Sequence, residues 1–218
     1  MHDDEREVLG LSARKQGLAV RAFFAIALAG ELRERAAELA RELAARPGGD
    51  GVRWVAPENL HITLRFLGNV AAAEIAPLAE HAQDALAGCA PFALTLGAPL
   101  AFPSPRKPKV IVLGAEPEAT LAELAARLET IAVEHGIVRR AESNESEARA
   151  FRAHLTLGRV RARRIPALAA PALAGSLAVR EVVLVRSDLA RDGAHYSPLA
   201  TLALGAPGAA HAHSPHFN

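Results

Sequence analysis

A chain of 218 residues and 22.9 kDa, half of it hydrophobic and 22% charged, has the composition of a globular protein rather than of a disordered one. Cys89 is its single cysteine, which excludes an internal disulfide and a cysteine-based zinc site. The formal net charge of +1 says little about partners, but between Arg139 and Ile165 eight arginines stand against three glutamates, a stretch able to attract a polyanion.

In chain order, residues 1–17 are polar, lack periodicity and read as a flexible extension. The apolar run 17–30 contains Arg21 and is too short for a bilayer, and the residues before it mix acids with bases, so a cytoplasmic protein with neither export signal nor membrane anchor is expected. Leu18 to Leu28 reads as a buried strand. Leu32, Ala36, Leu39 and Leu43 form the stripe of a helix from Glu31 to Arg46, ended by Pro47-Gly48-Gly49. Short strands are expected at Val52 to Val55 and Leu60 to Phe66, then a helix from Ala72 to Ala87 that tolerates Pro77 only in its first turn. Phe92 to Leu96 and Val110 to Leu113 read as strands on either side of the Pro-rich connection Ala101 to Lys109. Thr120 to His135 is the clearest helix, with Gly136 as its stop. A polar loop from Arg140 to Arg149 precedes a strand from Phe151 to Leu157, a short helix from Pro166 to Leu173, and strands at Leu177 to Val185 and Pro198 to Leu204. The tail 206–218 carries His211, His213 and His216, read as ordinary histidines of a flexible terminus rather than a metal-binding tag. The pattern implies an α+β domain over residues 18–205, with antiparallel or mixed sheets, helices outside them and two similar halves meeting near residue 100.

One segment recurs. Leu60 opens LHITLRFLG and Ala153 opens AHLTLGRV, so His-x-Thr-Leu is written twice. Apolar residues alternate with the polar ones, so His61 and Thr63 share one strand face, as do His154 and Thr156, while Ile62, Leu64, Leu155 and Leu157 take the other. A single His-Thr pair is ordinary strand surface; two copies in matching halves can surround one centre. Two imidazoles, two hydroxyls and nearby arginines suit phosphodiester chemistry, in which a base takes a proton from water, an acid protonates the leaving oxygen and donors hold the phosphate oxygens. Histidine serves both proton-transfer roles near neutrality, and Thr63 and Thr156 can donate to phosphate oxygens. Arg152 shares the parity of His154 and is expected to contact phosphate; Arg159, after Gly158 where parity can break, is the second candidate. Arg65 continues the His61 face. Phe66 is expected in the core, Trp54 under the cleft, and Tyr196 either packs at the cleft or donates through its hydroxyl. No carboxylate lies at ligand spacing from His61 or His154, so a metal site and a cofactor are not expected.

The segments RAFFAIAL from Arg21, VRWVAPENLHITLRFLGNV from Val52, AFPSPRKPKVIVLG from Ala101, FRAHLTLGRVR from Phe151 and VREVVLVRSDLARDGAHYSPLATLAL from Val179 together resemble the 2H phosphoesterase superfamily, specifically its RNA 2',3'-cyclic phosphodiesterases, also called 2'-5' RNA ligases. The resemblance spans about residues 18–205. It implies a bilobal, pseudo-twofold fold with two sheets lining a central cleft, and metal-independent opening of RNA 2',3'-cyclic phosphate ends to 2'-phosphates, with reversible 2'-5' joining in some members. It implies His61 as general acid and His154 as general base, with Thr63 and Thr156 in the two family motifs. RNA is then the expected partner, and the protein a monomer. Ala153 departs from the Pro that relatives often carry before the second His, and Ile111, Val112 and Leu113 are aliphatic where many have an aromatic. The alternatives are another 2H activity on a small cyclic nucleotide or ADP-ribose cyclic phosphate, and a non-catalytic RNA-binding module, which the low aromatic content of 4% disfavours.

Overall fold

A computed structural model describes residues 19–137, 151–162, 164–189 and 193–205. The expected N-terminal extension, the polar loop 140–149 and the histidine-bearing tail lie outside these residues.

Among the described residues, alternating and continuous apolar runs become nine strands: β1 (Ala19–Ala27), β2 (Val52–Trp54), β3 (His61–Ala71), β4 (Phe92–Phe102), β5 (Val110–Glu116), β6 (His154–Val160), β7 (Leu173–Val179), β8 (Glu181–Leu189) and β9 (Ala194–Ala203). The helical stripes become α1 (Gly30–Ala45), α2 (Ile75–Leu86) and α3 (Glu118–Glu134). Pro77 falls in the first turn of α2, where its missing N–H costs nothing. Gly136 ends α3 with a φ of 70°, a conformation that a residue bearing a Cβ rarely adopts. Among the described residues no helix is long and apolar enough to cross a membrane.

The expectation of two antiparallel or mixed sheets lining a cleft is corrected here. The strands form a single curled sheet in the order β7-β4-β5-β6-β3-β1-β8-β9, with β2 added beside β6, and every pairing is antiparallel. The two motif strands cause this: β3 and β6 pair directly, through Ile62 opposite Leu155, and so join what would otherwise be separate sheets. The expected short helix from Pro166 does not form. Pro166 and Pro171 each remove a backbone donor, residues 164–172 form no regular element, and Leu173 opens β7 instead. The single strand expected over Leu177 to Val185 is two strands, parted at Arg180.

Helices cover one face of the sheet. α1 packs on β7, β6 and β2, while α2 and α3 pack on each other, with α3 against β3 and α2 against β9. The main core lies between, built on Ile26, Leu43, Ile62, Leu78, Leu113, Leu128, Leu155 and Leu184, all nearly inaccessible to solvent. A smaller cluster, Phe23, Ala25, Val183 and Val185 with Tyr196 against it, covers part of the concave face.

β3 departs from simple alternation. Thr63 pairs with Ala25 and Arg65 with Phe24, so Leu64 is an extra residue, and the bulge reverses the parity beyond it. Arg65 therefore turns away from the His61 face into the helix side, where it is 4% exposed, pairs with Glu129 of α3 and donates to the Ile137 and Phe66 carbonyls. Phe66, expected in the core, emerges on the concave face with 56% of its surface exposed.

A buried cation left without its carboxylate costs more than the pair contributes. Glu129→Ala is expected to destabilise the protein by about 3 kcal/mol in urea unfolding, and the double change Arg65→Met/Glu129→Leu to restore most of that loss. A double variant as unstable as the sum of the two single losses would refute the pairing.

Candidate active site

The junction of β3 and β6 sets the geometry. Ile62 and Leu155 point into the core, so the alternation of each strand turns His61, Thr63, His154 and Thr156 to the concave face, all four partly buried. Both strands repeat one register against their outer neighbours. His61, Ile62 and Thr63 lie opposite Ala27, Ile26 and Ala25 of β1; His154, Leu155 and Thr156 lie opposite Gly114, Leu113 and Val112 of β5. The small partners Ala27 and Gly114 leave room beside each imidazole. Leu157 is then skipped on β6 as Leu64 is on β3, so Gly158 faces Ile111 and Arg159 faces Val110.

The duplicated bulge puts unlike residues at matching places. Arg65 and Gly158 follow the skipped leucines on the core side, and Phe66 and Arg159 come next on the concave face. Gly158 is required where it stands. A Cβ there would come within 2.5 Å of Val52 Cγ1 and 3.1 Å of Trp54 Cε3, because β2 lies against it. Trp54 packs on the core, its indole N–H donating to the Gly49 carbonyl at 3.0 Å. The charge of Arg159 lowers the proton affinity of His61 and of Tyr196, which places its guanidinium within electrostatic reach of both.

Each imidazole is held in the same way. His61 Nδ1 lies 2.7 Å from the Asn59 carbonyl oxygen, and His154 Nδ1 lies 2.7 Å from that of Arg152. A carbonyl only accepts, so both Nδ1 atoms carry the hydrogen and both Nε2 atoms are left to exchange protons. His61 Nε2 lies 3.1 Å from Thr63 Oγ1 and accepts from that hydroxyl. Asn59 is itself tethered, its amide donating to the Ala194 carbonyl at 3.0 Å, so the start of β9 steadies the turn that aims His61.

The surroundings of the two rings differ. His61 sits in an aromatic corner, its ring centre 4.9 Å from Phe23 and 5.2 Å from Tyr196, which meets it edge-on. Burial lowers its pKa to about 4, opposed by the hydrogen bond to Asn59 and reinforced by the charges of Arg159 and His154. That charge coupling brings the second histidine into the same electrostatic field. Burial likewise raises the pKa of the Tyr196 phenol, offset in part by Arg159 and Arg21. His154 instead stacks on Phe102, centres 5.6 Å apart and planes 17° from parallel.

Arg152, singled out on strand parity, precedes β6 and is not governed by its alternation. Its guanidinium carbon lies 5.5 Å from the centre of the Phe102 ring, so it borders His154 through that aromatic, while its carbonyl orients the imidazole. Tyr196 packs against both Phe23 and His61, which also touch each other. Phe23, Phe66 and Phe102 are the site aromatics that sequence reasoning missed. Only the Phe23-Phe24 doublet carried a signal, since on a strand one of two adjacent aromatics must face away from the helices.

Residues 26–112 match the model of the family described as LigT-like phosphoesterases. The chain is 32% identical over 189 residues to the RNA 2',3'-cyclic phosphodiesterase of Methanothermobacter thermautotrophicus, a match covering 84% of this chain and 97% of the relative. It is 35% identical over 188 residues to the RNA 2',3'-cyclic phosphodiesterase of Escherichia coli, covering 84% and 96%. The crystal structure of TT0787 of Thermus thermophilus is similar with a TM-score of 0.73 and 29% identity, over 86% of this chain and 100% of that one. With paired His-x-Thr strands on one concave face and relatives matched along nearly their whole length, the chain belongs to the RNA 2',3'-cyclic phosphodiesterase family of the 2H phosphoesterase superfamily.

Proposed function

We propose that the protein opens the 2',3'-cyclic phosphate at an RNA end to a 2'-phosphate, using His61 and His154 as acid and base without a metal ion. The single observation that carries this reading is the matched tethering of the two imidazoles, each Nδ1 on the carbonyl two residues upstream and each Nε2 left for proton exchange. Two groups that move protons at the same ring atom, on neighbouring strands, suit a displacement at one phosphorus.

In this mechanism the cyclic phosphate lies over the β3–β6 junction. The base takes a proton from water as the water oxygen bonds to phosphorus, the bond from phosphorus to the ribose 3' oxygen breaks, and the acid gives that oxygen a proton. Thr63, Thr156 and Arg159 hold the non-bridging oxygens, with Arg152 and Tyr196 at the margins. The base needs an attacking water beside it, which favours His154, outside the aromatic corner; the acid needs the leaving sugar beside it, which favours His61 against Phe23 and Tyr196. In the free protein His61 binds its proton weakly, and a bound phosphate anion offsets the burial and the neighbouring cations that cause this. The same steps with a 5' hydroxyl in place of water would join RNA ends 2'-5', and their reverse, with the 3' hydroxyl attacking phosphorus and the 5' oxygen leaving, would cut that bond. Phe66, exposed and 5.7 Å from Phe23, offers a face on which a base of the RNA can stack.

Metal-stripped protein in excess chelator should convert an oligonucleotide ending in a 2',3'-cyclic phosphate to the 2'-phosphate; a 3'-phosphate product would exchange the roles of the two histidines, and binding without turnover would favour the RNA-binding module. His61→Ala and His154→Ala should each lower kcat by roughly 10²–10⁴-fold with little change in binding. An acid works only while protonated, so its limb is lost as pH rises through its pKa. With His61 at about 4 in the free protein and raised by substrate, the alkaline limb of kcat should lie about one unit or more above that of kcat/KM. Coincident limbs in the two profiles would contradict His61 as the acid. Phe66→Ala should raise KM about tenfold at nearly constant kcat, the size of one lost base stack.

A further inference from the structure

A second polar feature of the concave face lies beyond the aromatic corner of His61. β1 runs from Ala19 and β8 runs to Leu189, yet their ladder ends at Ala22 opposite Arg186. Past that pair the two strands part, and the gap between them is a cavity of about 370 Å³. Strand parity sorts its walls. Arg21 precedes Phe23 by two residues and shares its concave face, and Ser187 follows Val183 and Val185 at the same interval. On β3 the register skips Leu67, so Gly68 pairs with Ala22 and Asn69 with Arg21, which sets Asn69 directly opposite Arg21 on the same face. Arg186 and Asp188 line the cavity from the opposite parity, the Arg186 Nε–H donating to Asp188 Oδ1 at 2.9 Å.

The chemistry of these walls suits a phosphate. A guanidinium, a carboxamide and a hydroxyl all offer hydrogens to anionic oxygens. The charges of Arg186 and Asp188 cancel, which leaves the cavity with the positive charge of Arg21. Its volume is at the low end of the range for small-molecule sites, about 300–1,000 Å³.

The cavity adjoins the reaction centre through Tyr196. That residue lies opposite Ser187 in the β8–β9 ladder, and its ring meets His61 with centres 5.2 Å apart. Burial raises the pKa of its phenol, and the charges of Arg159 and Arg21 act against that rise from the two sides of the ring. From Phe23, which packs on His61, to Arg21 is two strand residues, about 7 Å, the scale of one ribose-phosphate unit.

We propose that the cavity between β1 and β8 receives the 5' phosphate group of the terminal nucleotide, held by Arg21, Asn69 and Ser187, so that the substrate is read across two successive phosphates. This rests on the reading of the protein as an RNA cyclic phosphodiesterase and names the part of the strand it recognises. In that reaction the ribose leaves through its 3' oxygen beside His61. The 5' carbon projects from the far side of the sugar, so a ribose against Phe23 and Tyr196 carries its 5' substituent to Arg21. A nucleoside cyclic phosphate with a free 5' hydroxyl reaches the histidines but leaves the cavity to water.

Two probes differ only at this point: adenosine 2',3'-cyclic phosphate with a free 5' hydroxyl, and the same compound with a 5'-phosphate. The full chain should turn over the 5'-phosphorylated probe with a kcat/KM at least about tenfold higher, the size of one hydrogen-bonded contact to a charged group. Arg21→Gln should reduce that ratio to about twofold or less. Asp188→Asn, which removes the carboxylate that holds Arg186, should raise the ratio about threefold, a gain that a weakened fold does not imitate. Equilibrium dialysis of adenosine 2'-phosphate and adenosine 2',5'-bisphosphate gives the corresponding affinity ratios without turnover. A protein that turns over neither probe yet binds the bisphosphate more tightly through Arg21 refutes the catalytic reading and upholds the phosphate site. Equal kcat/KM values and equal affinities within each pair, or a preference that Arg21→Gln leaves intact, overturn the proposal.

Discussion

The structure turns on a single backbone junction, Ile62 of β3 opposite Leu155 of β6. In the same row Leu155 lies opposite Leu113 of β5, and Ile62 opposite Ile26 of β1, so four buried aliphatic side chains cross the sheet beneath the active site. Burying that row fixes the register of both motif strands, because a slip of one residue would drive each histidine into the core and each aliphatic chain into water. The paired histidines and threonines owe their common face to the apolar residues between them.

Two bulges convert this symmetric start into an asymmetric site. Extra residues at Leu64 and Leu157 bend the motif strands and reverse the parity beyond, which helps curl the sheet over its concave face. Past the bulges one strand offers Phe66 and the other Arg159, an apolar platform opposite a cation. On the core side the partners are Arg65 and Gly158, one filling space with a guanidinium bound to Glu129, the other making room for Val52 and Trp54.

The helix side supports this by holding β3 from behind. Glu129 and the Ile137 carbonyl bind Arg65, and His135, just past the end of α3, contacts His81 of α2. The concave face thus keeps its histidines partly open while the strand that carries one of them is fastened through the core.

The sequence by itself determined the three long helices, most strand positions and the four residues of the duplicated motif, because hydrophobic periods of 3.6 and 2 are local and His-x-Thr-Leu is written twice. Tertiary structure decided what depends on pairing partners. That β3 and β6 bond each other, making one sheet rather than two, cannot be read from either strand alone, since nothing in a strand's alternation names its neighbour. The bulges are equally silent: Leu64 and Leu157 keep the apolar pattern up to the residue where parity reverses, so Phe66 read as core and Arg65 as part of the His61 face. Arg159 was legible only as a break after Gly158, and the carbonyl tethers from Asn59 and Arg152 were not legible at all, because every residue carries that acceptor and only the turn of the chain aims it at an imidazole.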